Sequence, residues 1–200
     1  KAFDLFSKII VPSTRPFDHP TSLSFVAAAP TPAALSFDSV LGAAEIFAGN
    51  WDGGSGAIHA ENQALAWLAS LAGWSSKNAG GVFVSGGTLG NLSALHAART
   101  AYKLKNSDCL KKLAILCSTE AHSSIDAIAK VMDFNIIRVS SDDFGKIRVS
   151  EAISALSKEN EIFAIVANAG ATNSGAIDDI SILADLARKN NIWLHVDGAY

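Results

Sequence analysis

The chain has 200 residues, 49% hydrophobic and 18% charged, and carries a formal net charge of −3. That size and balance suit one well-packed globular domain or most of a larger one, and a slightly acidic chain without a basic run is not a nucleic-acid surface. No apolar stretch reaches the roughly 18 residues of a membrane span, no signal peptide opens the chain, and Cys109 and Cys117 form neither a CxxC pair nor a disulfide framework. A cytoplasmic protein without a membrane anchor or metal centre is the expectation. A start at Lys1 instead of Met, and an end directly after an apolar strand, predict a fragment of a longer chain.

In chain order, all five prolines (Pro12, Pro16, Pro20, Pro30 and Pro32) fall in the first 32 residues. Proline fixes φ and removes a donor, so an extended, irregular arm is expected there, followed by a short helix over about 34–48. Gly53-Gly54-Ser55-Gly56 reads as a turn between this arm (1–50) and a main body (51–200). A helix over about 60–72 gathers Ala64, Trp67, Leu68, Leu71 and Ala72 on one face and stops at Gly73. Strands are predicted at 82–85, 113–118, 135–139, 162–167 and 192–197, with helices over about 88–104, 123–132, 150–158 and 179–189. Such alternation predicts βαβ units, and hence a three-layer α/β sandwich around a mainly parallel sheet.

Chemistry-bearing residues cluster just past the strands. Val82-Phe83-Val84 runs into Ser85-Gly86-Gly87-Thr88-Leu89-Gly90-Asn91 and then a helix. Glycines let the backbone approach an anion, and free amides at a helix start attract phosphate, to which Thr88 and Asn91 add side-chain donors. The spacing matches neither a Walker loop nor GxGxxG. His122, in Ser118-Thr119-Glu120-Ala121-His122-Ser123-Ser124, can lie against a planar ligand or titrate near neutral pH, while Ser123 or Ser124 serves as an N-cap. The loop Asn168-Ala169-Gly170-Ala171-Thr172-Asn173-Ser174-Gly175 leaves room for a ligand, with Thr172 as a donor. His195 and Asp197 share one face of the last strand, and Asp197 either caps the next helix or meets a ligand at the strand's carboxyl end.

Taken together, the Gly80-to-Leu92 segment, Ala121-His122-Ser123-Ser124, Gly170-Ala171-Thr172 and His195-Val196-Asp197-Gly198-Ala199-Tyr200 resemble the group II pyridoxal-phosphate-dependent amino-acid decarboxylases. His19-Pro20, Pro30-Thr31-Pro32-Ala33-Ala34 and the Trp51/Trp67 pair extend the resemblance upstream. It implies an incomplete fold-type-I large domain with pyridoxal 5'-phosphate at the strand ends. The implied phosphate grip falls on Gly87, Thr88 and Asn91, the ring-stacking histidine on His122, the loop threonine on Thr172 and the ring-nitrogen partner on Asp197, with Ala199 beneath the ring. His122 and Asp197 are the implied catalytic residues. The family's Schiff-base lysine falls beyond Tyr200, so the 200 residues alone are expected to be inactive. Phe25 stands where aromatic decarboxylases carry a substrate-lining aromatic, which favours an aromatic or other bulky neutral L-amino acid as substrate. The resemblance also implies a homodimer of the full-length enzyme. Ala171, Gly198 and Leu89-Gly90 depart from the family's usual residues. Another fold-type-I lyase or transferase, or a nucleotide-binding module built on the Gly86-Gly87 turn, are the alternative readings.

Overall fold

The computed structural model describes residues 1–17, 19–22, 25, 29–75, 77–107, 111–157 and 161–199. They fall into two compact units, Lys1–Val82 and Phe83–Tyr200. Cys109, Tyr200 and the end of the predicted 150–158 helix lie outside the described residues.

The first unit is more helical than its prolines predict. α1 (Ala2–Leu5) continues into a π-helical turn, Phe6–Ile10, because the first proline comes only at Pro12. Pro32 opens α2 (Pro32–Ala44) at the first helical position, where its missing N–H costs nothing, and the Thr31 side chain caps the helix by accepting from the Ala34 amide at 3.2 Å. The Gly53-to-Gly56 segment is not a separating turn. Asn50 Oδ1 accepts from the Gly53 amide at 2.8 Å and starts α3 (Trp51–Leu71) ahead of the glycines, which leave only a kink at Gly54. A Cβ on Gly54 would stand 2.3 Å from the Phe47 carbonyl oxygen, so only glycine fits there. Gly73 ends α3 as expected: it takes φ +74°, donates to the Ser70 carbonyl at 3.0 Å, and lets Trp74 donate to Ala69 at 2.9 Å. Trp67, Leu68 and Leu71 on the predicted apolar face are exposed.

The second unit is the expected sandwich. α4 (Gly87–Lys105), β1 (Ala114–Ser118), α5 (Ser124–Met132), β2 (Asn135–Val139), α6 (Val149–Leu156), β3 (Ile162–Asn168), α7 (Ile180–Lys189) and β4 (Trp193–Asp197) alternate along the chain. The strands form one parallel sheet in the order β2-β1-β3-β4. On one face α4 and α5 cover Ile115, Cys117, Phe163 and Val166; on the other α6 and α7 cover Leu116, Ile165 and Ala167. The central strands β1 and β3 are buried on both faces, which is why their sequences are unbroken apolar runs. The predicted strand at 82–85 is not one: those residues have strand-like composition but no neighbouring ladder, and Val82 and Phe83 are exposed. No helix among the described residues is long and apolar enough to cross a membrane.

Candidate functional site

In a parallel sheet all strands end on one edge, and ligands bind beyond it. β1 ends at Ser118, β3 at Asn168 and β4 at Asp197. Asn168 stands opposite Asp197 in register, and the Ala169 amide donates to the Asp197 carbonyl at 2.8 Å. The start of α4 arrives at the same edge. Gly86, at φ +116°, turns the chain into the helix, and its carbonyl accepts from Leu89 and Gly90. The first-turn amides of Gly87 and Thr88 lie outside that pattern, as amides at a helix start do. A Cβ on Gly87 would come within 3.2 Å of the Ala199 Cβ, so this approach suits glycine.

At the centre is Asn91, buried one turn into α4. Its Nδ2 donates to Asp197 Oδ2 at 2.9 Å and to Ser124 Oγ at 3.1 Å, while Oδ1 lies 2.8 Å from His195 Nε2. Ser124 Oγ is 2.9 Å from His122 Nδ1, and the Ser124 amide donates to that same nitrogen at 3.1 Å. Asp197 Oδ1 accepts from the Ala199 amide at 3.1 Å. One continuous hydrogen-bonded array therefore joins His122, Asn91, His195, Asp197 and Ala199, with Gly87 against Ala199.

Thr88 lies in the first turn of α4 and Thr172 in the loop that follows β3, and neither side chain makes a hydrogen bond among the described residues. Phe25 belongs to the first unit, where its ring meets Phe17 edge-on at 5.6 Å between centroids and lies under the Arg15 guanidinium. Neither serine caps α5 through its side chain: Ser123 occupies the cap with helical backbone angles, and the buried Ser124 turns its hydroxyl to Asn91 and His122.

A second layer, which the sequence alone does not reveal, supports the edge. Buried Asp178 accepts from the Asn168 amide at 2.6 Å and from the Ile147 amide at 2.7 Å, and Asn168 Nδ2 donates to Ser118 Oγ at 3.2 Å. These groups are joined across 10, 31 and 50 residues, so no local motif announces them. For His195 and Asp197 the signal is present, since residues two apart on a strand share a face. Burial pushes the His195 imidazole below its ordinary value, against the opposing pull of Asp197. Burial also pushes the Cys117 thiol up to about 11, so it is an inert core group.

The "Pyridoxal-dependent decarboxylase conserved domain" family matches residues 3–200. An aromatic-L-amino-acid decarboxylase of Bacillus atrophaeus is 37% identical over 191 residues, 92% of this chain and 39% of that protein. An L-2,4-diaminobutyrate decarboxylase of Rhizobium meliloti (strain 1021) is 32% identical over 189 residues, 91% of this chain and 37% of that protein. The chain thus spans under two-fifths of the length of these curated relatives. Among solved structures, the glutamate decarboxylase domain of diaminobutyrate-pyruvate transaminase and L-2,4-diaminobutyrate decarboxylase from Vibrio parahaemolyticus superposes with a TM-score of 0.90 at 29% identity, covering 100% of this chain and 46% of that one.

Proposed function

Because the chain belongs to the pyridoxal-dependent decarboxylase family, we propose that the full-length protein binds pyridoxal 5'-phosphate at this edge and removes the α-carboxylate of an L-amino acid as carbon dioxide. Support for the cofactor comes first from Asp197. An ionised carboxylate has about four acceptor positions; the Asn91 and Ala199 donors occupy two, and Asp197 has no ion pair among the described residues. A half-buried carboxylate with spare lone pairs and no cationic partner suits a protonated ring nitrogen. The Gly86-Gly87 turn suits the phosphate, because glycine admits close backbone approach at a helix N-terminus.

When bound, the cofactor supplies an electron sink for the pair released as the Cα–carboxylate bond breaks. The chain's own residues set the conditions. Asp197 holds the proton on the ring nitrogen, Gly87 and Thr88 anchor the phosphate, and His122 stacks on the ring. Thr172 donates from the β3 loop, and Ala199 leaves room beneath. Fixing the ring this way orients the scissile bond.

An aromatic or other bulky neutral amino acid is the substrate we favour, on the strength of the 37% identical relative and of Phe25. The exposed apolar residues Phe3, Phe6, Ile9 and Ile10 support a homodimer in which a second copy covers the N-terminal helix. The free, buried Cys117 is in keeping with a cytoplasmic setting. The test is carbon dioxide release by the full-length protein with added pyridoxal phosphate, across aromatic, acidic and diamino acids. Release from an aromatic amino acid is the expected result, and no release from any of them overturns the proposal.

A further inference from the structure

We infer that Asn91 is a positioning residue: its side-chain amide clamps the Asp197 carboxylate and fixes the tautomer of His195. Asn91 is buried and every polar atom of its side chain is used, in bonds that reach both Asp197 and His195. The inference rests on the reading of Asp197 as the ring-nitrogen partner and goes one layer beneath it.

Hydrogen-bond direction is set by the chemistry of two fixed groups. Ionised Asp197 only accepts, so the Asn91 atom 2.9 Å from Oδ2 is the nitrogen. Its two hydrogens are then committed to Asp197 and Ser124. The Asn91 oxygen faces His195 Nε2, which therefore carries the hydrogen and donates. Burial, which keeps the His195 imidazole neutral near pH 7, agrees with a single hydrogen on that ring. At the far end the Ser124 amide, a donor only, faces His122 Nδ1. Nδ1 is then an acceptor, the Ser124 hydroxyl accepts from Asn91 and turns its own hydrogen to His122, and His122 carries its hydrogen on Nε2. A single amide thus sets the orientation of the carboxylate and, through Ser124, that of His122.

A rigid carboxylate matters because misplacing a reacting group by about 1 Å costs roughly a hundredfold in rate. With both N–H groups spent on protein acceptors, the Asn91 side chain has none left for a phosphate. The resemblance-based grip then reduces to Gly87 and Thr88.

Two measurements on the full-length protein test this. In the cofactor-free protein, ¹⁵N-edited histidine spectra near neutral pH should show His195 as the Nε2–H tautomer, and Asn91→Ala should release it to a mixture. A wild-type His195 with its hydrogen on Nδ1 overturns the inference, even where Asn91→Ala does not fold. In the holoenzyme, Asn91→Ala and the equal-sized Asn91→Asp, which replaces the two donors by a second carboxylate, should lower kcat at saturating pyridoxal phosphate by roughly a hundredfold. The cofactor Kd should move by less than about tenfold, the margin of one lost hydrogen bond. A larger rise in Kd with kcat at saturation unchanged assigns Asn91 to the phosphate and overturns the clamp. A wild-type protein that binds no cofactor overturns the functional reading instead, and the tautomer is still measured without cofactor.

Discussion

Asp178 offers the sharpest test of how the strand ends are held. Its two carboxylate oxygens each receive one backbone N–H, from Asn168 at 2.6 Å and from Ile147 at 2.7 Å, and all three residues are buried. Asp178→Ala removes both acceptors and leaves two amides without partners. Each orphaned buried donor costs about 1–3 kcal/mol, and water entering the vacated space offsets part of that. A combined loss of about 3 kcal/mol is the working figure, a little over a hundredfold at about 1.4 kcal/mol per tenfold. The loss is local, so amide hydrogen exchange in the full-length protein is the assay, with mid-strand Ile165 as internal reference. Protection at Asn168 and Ile147 should fall by roughly that factor, while Ile165 changes far less. Asp178→Asn should behave similarly, because it turns an NH₂ group towards one of the two backbone donors. Unchanged protection at both amides in either variant would refute the reasoning. Asn168 lies opposite Asp197 in the ladder, so the loosened end is one that carries the site.

The same geometry sets three further outcomes. On the proposed role of Asp197, Asp197→Asn removes the charge that would keep the ring nitrogen protonated and should cost about 3–4 kcal/mol in kcat, roughly a hundred- to a thousandfold, with cofactor binding largely retained; near-normal turnover would reduce Asp197 to the Asx turn it makes with Ala199. His195 has a lowered value in the fold, so the unfolded chain takes up its proton first as pH falls below the ordinary value of 6.5. Its contribution is intact above pH 6.5 and is lost as pH falls from there through the lowered folded value, so denaturation midpoints should drop over that window and His195→Gln should flatten the drop. In a Cys109→Ser background, Cys117 should resist iodoacetamide at pH 8 until denaturant is added, because its thiol is buried and pushed up to about 11; rapid labelling of the native protein would contradict that.

What the sequence revealed tracks how local each signal is. β1 and β3 are buried on both faces, so Leu113-to-Cys117 and Ile162-to-Ala167 are continuous apolar runs that can be read directly. Val82-Phe83-Val84 has the same composition yet forms no strand, since a strand exists only where another offers a ladder. The glycines at 53–56 read as a break because glycine weakens helices, whereas Asn50 and the crowding of Gly54 against Phe47 decide the matter. At the site, the His195–Asp197 pairing was legible from a spacing of two. The clamp was not: Asn91 reads locally as one more donor after a glycine turn, and its acceptors lie 33 and 106 residues away.

The division between spent and spare hydrogen-bonding capacity is the strongest structural argument for where a ligand goes. Among the described residues no buried side-chain nitrogen or oxygen lacks a partner, so the interior asks for nothing. The buried side chains of Asn91, Ser124, Asn168 and Asp178 are all taken up by partners within the second unit. Spare capacity remains on groups of the strand ends and of the α4 start: two acceptor positions on Asp197, the hydroxyls of Thr88 and Thr172, the first-turn amides of α4 and, with the tautomer inferred above, the Nε2–H of His122. An acceptor-only anion, a ring nitrogen carrying a proton and a planar surface for stacking would satisfy them together. No single one of these groups demands such a ligand. The demand arises because the buried layer consumes its own polar atoms completely while these groups keep theirs unspent.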